Sequence, residues 1–333
     1  MPADPMQTHV VKSFVNETSL VACRFDPTGR FVFVGQQNEK VVRWDLTTGT
    51  KTDFEGGHDS WVRAIAFVNK GEVVLTGGHD GRLVWWPSAA TEKPAPIRKV
   101  DAHAGWIRAI DVSPDGQFIA TCGNDLKVKL WKADDGSLVR EFAGHERHVY
   151  NVAFHPGGKN LLSGDLVANF IDWEVETGKQ LRSFKVATLH KYDPGFMADY
   201  GGPYSMQFSK DGKQFAAGGI TNVSNAFAGV GNPALCMVDW ESGKETTAHL
   251  AKSGVNGKVF GLALHPEGHL IGAVGGGGGG YVYFWKPGEK NEFHFFNIGN
   301  AVRDLTLHPD GIQLATAHHD KHLRLLAMRP KTI

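Results

Sequence analysis

The chain has 333 residues, 41% of them apolar and 21% charged, with 35 basic residues balanced by 35 acidic ones. That balance excludes a general attraction to nucleic acid or to an anionic membrane, so binding of either kind needs a local patch. Residues 1–18 hold no apolar core of signal-peptide length, and no later window is apolar for long enough to span a bilayer, so the expected protein is soluble, non-secreted and cytoplasmic. Cys23, Cys122 and Cys236 are odd in number and each falls in a predicted strand, which points to buried free thiols in a reducing compartment.

In chain order, the sequence offers a short strand over 10–14 and then seven copies of one unit, of which 102–132 is the clearest. Ile107, Ile110 and Val112 are spaced three and then two apart, which breaks strict alternation as a β-bulge does. Pro114-Asp115-Gly116 turns the chain back into a second strand from Phe118. Asn124-Asp125 is a second turn, after which Val128 and Leu130 alternate with Lys127 and Lys129 up to Trp131. Asp134-Asp135-Gly136 then leads to a fourth strand over 138–142. Four short antiparallel strands cannot bury both faces alone, so such units must stack on one another.

The same spacing appears at Leu20/Cys23/Phe25, Val62/Ile65/Phe67, Val149/Val152/Phe154, Val259/Leu262/Leu264 and Val302/Leu305/Leu307; the fifth copy keeps only Met206/Phe208. Third strands end at Trp44, Trp86, Trp131, Trp173, Trp240 and Trp285, with Leu326 in the seventh place. The copies lie near 19–55, 61–100, 106–143, 149–186, 203–250, 258–297 and 301–328, within one domain covering 1–333. Beyond Leu326 too little chain remains for a fourth strand, whereas VVKSF at 10–14 matches QLRSF at 180–184, a fourth strand elsewhere. The N-terminal strand, over 8–15, is therefore expected to complete the last unit and remove the open sheet edge.

These residues resemble the WD40 (tryptophan-aspartate) repeat family, through Gly57-His58, Gly144-His145, the near match Ala102-His103, and Trp44-Asp45. The resemblance runs from about Thr8 to Met328 and implies an all-β, seven-bladed β-propeller with four antiparallel strands per blade around a central channel. His58, Thr76, Asp80 and Trp86 recur as His103, Thr121, Asp125 and Trp131. A hydroxyl, a histidine and a carboxylate could form a nucleophilic triad, but the resemblance implies a buried structural tetrad running from Asp to His to hydroxyl to indole N–H. The fourth unit keeps His145, Ser163 and Trp173 with Val167 at the carboxylate position; the seventh keeps Thr316 and Asp320 without the histidine or tryptophan. No catalytic residue, cofactor or metal is expected, since no histidine pair of zinc-type spacing has a second pair to complete it. The run Gly275 to Gly280 precedes a strand, not a helix, and reads as a turn approached closely by backbone, not a phosphate loop.

In a propeller the connections before each first strand and between second and third strands emerge on one face, the top. Residues placed there are Trp61, Arg63, Trp106, Arg108, Tyr150, Tyr204, Phe260 and Arg303, with His79, Asn124 and His319 beside them in second turns. Arginine with tryptophan and tyrosine is the composition of interface hot spots. Two surplus stretches, 187–202 and 220–233, fall on the same face as long connections of the fifth blade. The expected function is a non-catalytic scaffold that binds a protein or peptide partner of acidic character across the top, within a larger assembly. The alternatives are a propeller enzyme with a small-molecule or metal site under the fifth-blade insertions, and, less in keeping with zero net charge, nucleic-acid binding.

Overall fold

Six of the seven first strands carry the bulge that their spacing encodes. In Ile107–Val112 the register against Phe118–Gly123 slips between Ile107 and Ala109. The slip falls at the matching place in Leu20–Phe25, Val62–Val68, Val149–Phe154, Lys258–Leu264 and Val302–Leu307. Ser205–Phe208, the copy with half the spacing, pairs without one. The structure, a computed structural model, describes residues 2–252 and 255–331; the remaining residues of the expected 1–333 domain lie outside the described residues. Among these residues the strands form seven four-stranded antiparallel sheets and one two-stranded hairpin. The sheets are the blades of a seven-bladed β-propeller, numbered here from the sheet that begins at Leu20.

The core is divided among the blade interfaces. Ala120, Cys122 and Leu130 of blade 3 pack on Val149, Val152 and Phe154 of blade 4, and an equivalent layer fills each of the other six interfaces. All three cysteines are buried free thiols. Closure follows the expected route: Thr8–Val15 pairs with His322–Met328 from Thr8 opposite Met328 to Val15 opposite His322. Phe14 is buried in the layer between blades 7 and 1 and lies against Trp44 at 4.6 Å.

Two kinds of side-chain tie join successive blades. In the channel wall Asp111 accepts the Phe154 N–H at 2.7 Å, Gln207 the Leu264 N–H at 3.0 Å and Asp304 the Cys23 N–H at 3.0 Å. On the bottom rim three first-turn histidines act as clips. His155 Nδ1 accepts the Gly157 N–H, so Nε2 carries the proton and donates to the Gly212 carbonyl of the next blade at 3.1 Å. His265 reaches the Gly311 carbonyl at 2.6 Å and His308 the Gly29 carbonyl at 3.1 Å in the same way.

Three expectations need correction. Trp240 lies one residue beyond the third strand Val230–Asp239, and the register partner of Phe215 is Val238. Trp240 is therefore two positions beyond the register that Trp131 holds opposite Ile119, and the indole packs outside the tetrad position, on His155 and Phe208. The stretches 187–202 and 220–233 are not open connections. His190–Asp193 and Ala198–Gly201 pair as a hairpin, while Gln214–Asn225 and Val230–Asp239 continue blade 5 into a second, taller one. Of the glycine run, only Gly277 and Gly278 lie between the strands Leu270–Gly276 and Gly279–Trp285. The others pair in register because backbone presses on them: a methyl on Gly275 would meet the Val302 carbonyl and one on Gly280 the Asn300 carbonyl.

Candidate functional site at the channel mouth

The hydroxyl-histidine-carboxylate sets belong to the blades, not to the mouth. Thr76 Oγ1 accepts the Trp86 indole N–H at 2.8 Å and donates to His58 Nε2 at 2.8 Å, leaving Nδ1–H to face Asp80 at 3.2 Å. Trp131, Thr121, His103 and Asp125 repeat this in the same order at 2.9, 2.7 and 2.8 Å. Burial would raise the Asp80 and Asp125 carboxyls, but the bonds from His58 or His103 and from backbone N–H groups outweigh it and hold both below their usual range. Every proton in the chain has an acceptor, and the hydroxyls are wholly buried, so no nucleophile is presented.

In blade 4 the carboxylate comes from Asp165, not from the position of Val167. Asp165 Oδ2 stands 2.9 Å from His145 Nδ1, and Ser163 Oγ links His145 Nε2 and Trp173 Nε1 at 2.7 and 2.8 Å. The seventh blade replaces the lost histidine with His318, two residues along the same strand, whose Nε2 lies 2.8 Å from Thr316 Oγ1. Asp320 turns instead to Arg324, at 2.6 Å.

At the top, stacked rings and cations form a string across six blades. His79 is sandwiched between Trp61 and Trp106, at centroid distances of 5.2 and 3.9 Å, the second pair within 4° of parallel. The two indoles remain 40% and 42% exposed. Arg108 lies over Tyr150 at 4.0 Å while its Nε donates to Asn124 Oδ1 at 2.6 Å. Tyr150 meets Tyr204 edge-on at 5.3 Å, Tyr204 meets Phe260 at 5.4 Å, and Arg303 covers Phe260 at 5.2 Å. Phe260 is thus buried beneath cations and does not offer its face to a partner. Arg63 Nη1 donates to the Val21 carbonyl at 3.2 Å, and His319 stands exposed in its turn, outside the string.

Formal neutrality conceals a strong local imbalance. Arg63, Arg108 and Arg303 line the upper part of a channel of about 930 Å3, and Lys258 stands beside them. Asp304, whose charge acts on Arg63, already accepts the N–H groups of Cys23 and Leu305 at 3.0 and 2.9 Å and lies 3.9 Å from Arg24. Arg303 Nε is buried with no hydrogen-bond acceptor among the described residues. Burial, helped by Arg63 and Arg108, drives the His79 imidazole down to about 4, so the sandwiched ring is neutral at physiological pH.

Sequence reasoning puts Lys258 on the top rim with Phe260 without selecting it as a binding residue, and it missed Tyr200. Lys258 Nζ stands 4.7 Å from the Tyr200 ring and 5.0 Å from that of Tyr204. Burial first, then Arg303 and Arg63, lower its ammonium to about 8. Its place at the head of a first strand was a usable signal, but Tyr200 reaches it only through the insertion hairpin. On the bottom rim His265, Glu267 and His269 bring ligand atoms within 4.8 Å of one another. They do not fit an ion well: both His265 nitrogens are engaged in its clip, and the two imidazoles stack within 15° of parallel at 4.0 Å, so their lone pairs do not converge.

The family model described as "WD domain, G-beta repeat" matches residues 50–87, 94–132, 136–166 and 293–325. A nuclear distribution protein nudF of Aspergillus niger is 26% identical over 185 residues, covering 50% of this chain and 42% of that protein. The nudF protein of Emericella nidulans is 30% identical over 53% of this chain and 44% of its own length. A guanine nucleotide-binding protein subunit beta of Oryza sativa is 23% identical over 94% of this chain and 84% of its own. The chain thus spans less than half the length of the nuclear distribution proteins it matches. Each stretch matched by the family model runs from the fourth strand of one blade into the next, and the four contain Thr76, Thr121, Ser163 and Thr316, the hydroxyls bonded to a histidine. With its repeats, its tetrads and its propeller architecture, the chain is a WD40-repeat protein.

Proposed function

We propose that this propeller is a non-catalytic protein-interaction platform that holds an acidic, extended segment or loop of a partner across its top face. The observation that carries the reading is the cluster of Arg63, Arg108, Lys258 and Arg303 at one channel mouth, while the channel's carboxylates, Asp111 and Asp304, are already engaged by backbone N–H groups. Carboxylates of a partner would complete Arg63 and Arg303, while Trp61 and Trp106 offer flat apolar ground next to them. His79, Asn124 and Arg108 serve as positioning residues, since each is spent on holding a neighbour in place. Tyr150, Tyr204 and Phe260 form the floor, and His319 lies at the rim. Relatives named as a subunit of a guanine nucleotide-binding protein support membership of a multi-protein assembly, and we place the work in the cytoplasm.

A displayed peptide library selected on the purified protein tests this. Selected peptides should be enriched in Asp and Glu, and their affinity, read by fluorescence anisotropy, should fall with added salt and by about tenfold in Arg303→Gln or Trp106→Ala. Selected peptides without acidic bias, or equal affinity in both variants, would overturn the reading.

A further inference from the structure

The two insertions of blade 5 have no role in closing the ring, yet they meet over one side chain. Lys258 Nζ lies 4.7, 5.0 and 5.7 Å from the ring centroids of Tyr200, Tyr204 and Phe260. Tyr200 is brought there by the first hairpin. The turn of the second forms a roof: a methyl on Gly229 would stand 2.6 Å from the Tyr200 hydroxyl and 3.7 Å from Lys258 Nζ. Asp193 of the first hairpin accepts the Ala226 N–H of the second at 3.1 Å, which fixes the two against each other. The charged groups beside the amine are Arg303 and Arg63, both cationic. A lysine shielded from water and set next to other cations holds a larger share of neutral, nucleophilic amine at physiological pH.

We propose that Lys258 is a covalent capture site for small anionic carbonyl compounds, 2-oxo acids or carboxylate-bearing aldehydes, with Arg303 and Arg63 holding the negative group. The neutral amine attacks the carbonyl carbon; the N–C bond forms, the C=O π pair moves to oxygen, and the nitrogen's proton passes to that oxygen. The carbinolamine then expels its hydroxyl as water, protonated by Tyr200 or Tyr204, as the nitrogen lone pair closes the C=N bond, and the remaining proton on nitrogen returns to the phenolate left on that tyrosine. Amine and carbonyl compound become imine and water, with no oxidant or reductant consumed. Burial, with Tyr150 adding to it, pushes both phenols above their ordinary range, so each still carries its proton. The site shares Arg63, Lys258 and Arg303 with the surface proposed for the peptide, but imine formation on Lys258 is read out separately from peptide affinity, so either can fail without the other.

The test uses glyoxylate on the full chain, trapping the imine with cyanoborohydride and mapping modified lysines by peptide mass spectrometry. Lys258 should be labelled about tenfold faster than exposed lysines such as Lys132 and Lys210, with a pH midpoint near 8. Arg303→Gln should remove most of that preference; where that variant melts early, acetate competing against glyoxylate on the wild-type protein gives the same information. Propanal, which lacks the anion, should show little preference for Lys258. Labelling of Lys258 no faster than of exposed lysines, or an equal preference for propanal, would overturn the assignment.

Discussion

Asp165 shows how one side chain can restore a network by a different route. It ends its strand opposite Val149, two residues ahead of where the other tetrads draw their carboxylate, and still reaches His145. Asp165→Ala leaves a buried Nδ1–H without an acceptor and should cost about 1–3 kcal/mol in denaturant unfolding, as Asp80→Ala and Asp125→Ala should. Val167→Ala should stay within about 0.5 kcal/mol; the reverse ranking would remove Asp165 from the tetrad. Asp111 makes a different case. Burial in the channel wall pushes its carboxyl up to about 6, even though it accepts the Phe154 N–H. A folded value above the unfolded one means that its contribution to stability is fully present below about pH 4 and is lost as pH rises through 6. Asn keeps an acceptor without a charge. Asp111→Asn should therefore match wild type near pH 4 and become the more stable of the two by pH 8; a difference that does not change with pH would refute the ionisation argument.

At the scale of the hairpin, the glycine run of blade 6 separates two demands that composition alone confuses. Gly280 faces the Asn300 carbonyl with no room for a methyl, whereas a methyl on Gly277 would enter open space. Gly280→Ala should unfold or strongly destabilise the blade, and Gly277→Ala should be tolerated within about 0.5 kcal/mol; equal melting temperatures for the two would show that the run is merely flexible. Such distinctions mark what is legible before a structure exists. The bulges could be read from the three-then-two spacing of Ile107, Ile110 and Val112 because backbone pairing and core facing leave a local signature. The strand at 8–15 could be placed because ring closure requires a partner for the last edge. The hairpins at 190–201 and 214–239 could not, because 187–202 and 220–233 carry almost no alternation: their strands are held by pairing and by the Asp193 bond to Ala226. The character of Lys258 could not be read from the sequence for a related reason. Its character is set by Tyr200, Gly229 and Arg303, residues remote in sequence that only the fold assembles.

For the whole molecule, the offset between sequence repeat and blade decides how the ring is held. Each matched stretch begins in one blade's fourth strand and ends in the next blade, so every repeat straddles an interface, and the chain closes by laying its first strand on its last blade. Removing residues 2–15 would leave the third strand of blade 7, His322–Met328, as an open edge and take Phe14 from the layer between blades 7 and 1. It would also remove the bond from the Asp4 N–H to the Met328 carbonyl. Loss of Phe14 alone, as Phe14→Ala, should cost about 3–5 kcal/mol; the truncation should cost more, because no other blade interface can compensate for a ring that no longer closes. The exposed edge should also recruit other chains, so the truncated protein should elute as oligomers while Phe14→Ala remains in the wild-type state. A synthetic peptide covering 2–16, added in trans, should restore the melting temperature and the elution position together. A truncated chain that melts with wild type and elutes with it would mean that six complete blades and one three-stranded blade suffice, and that the clasp adds nothing.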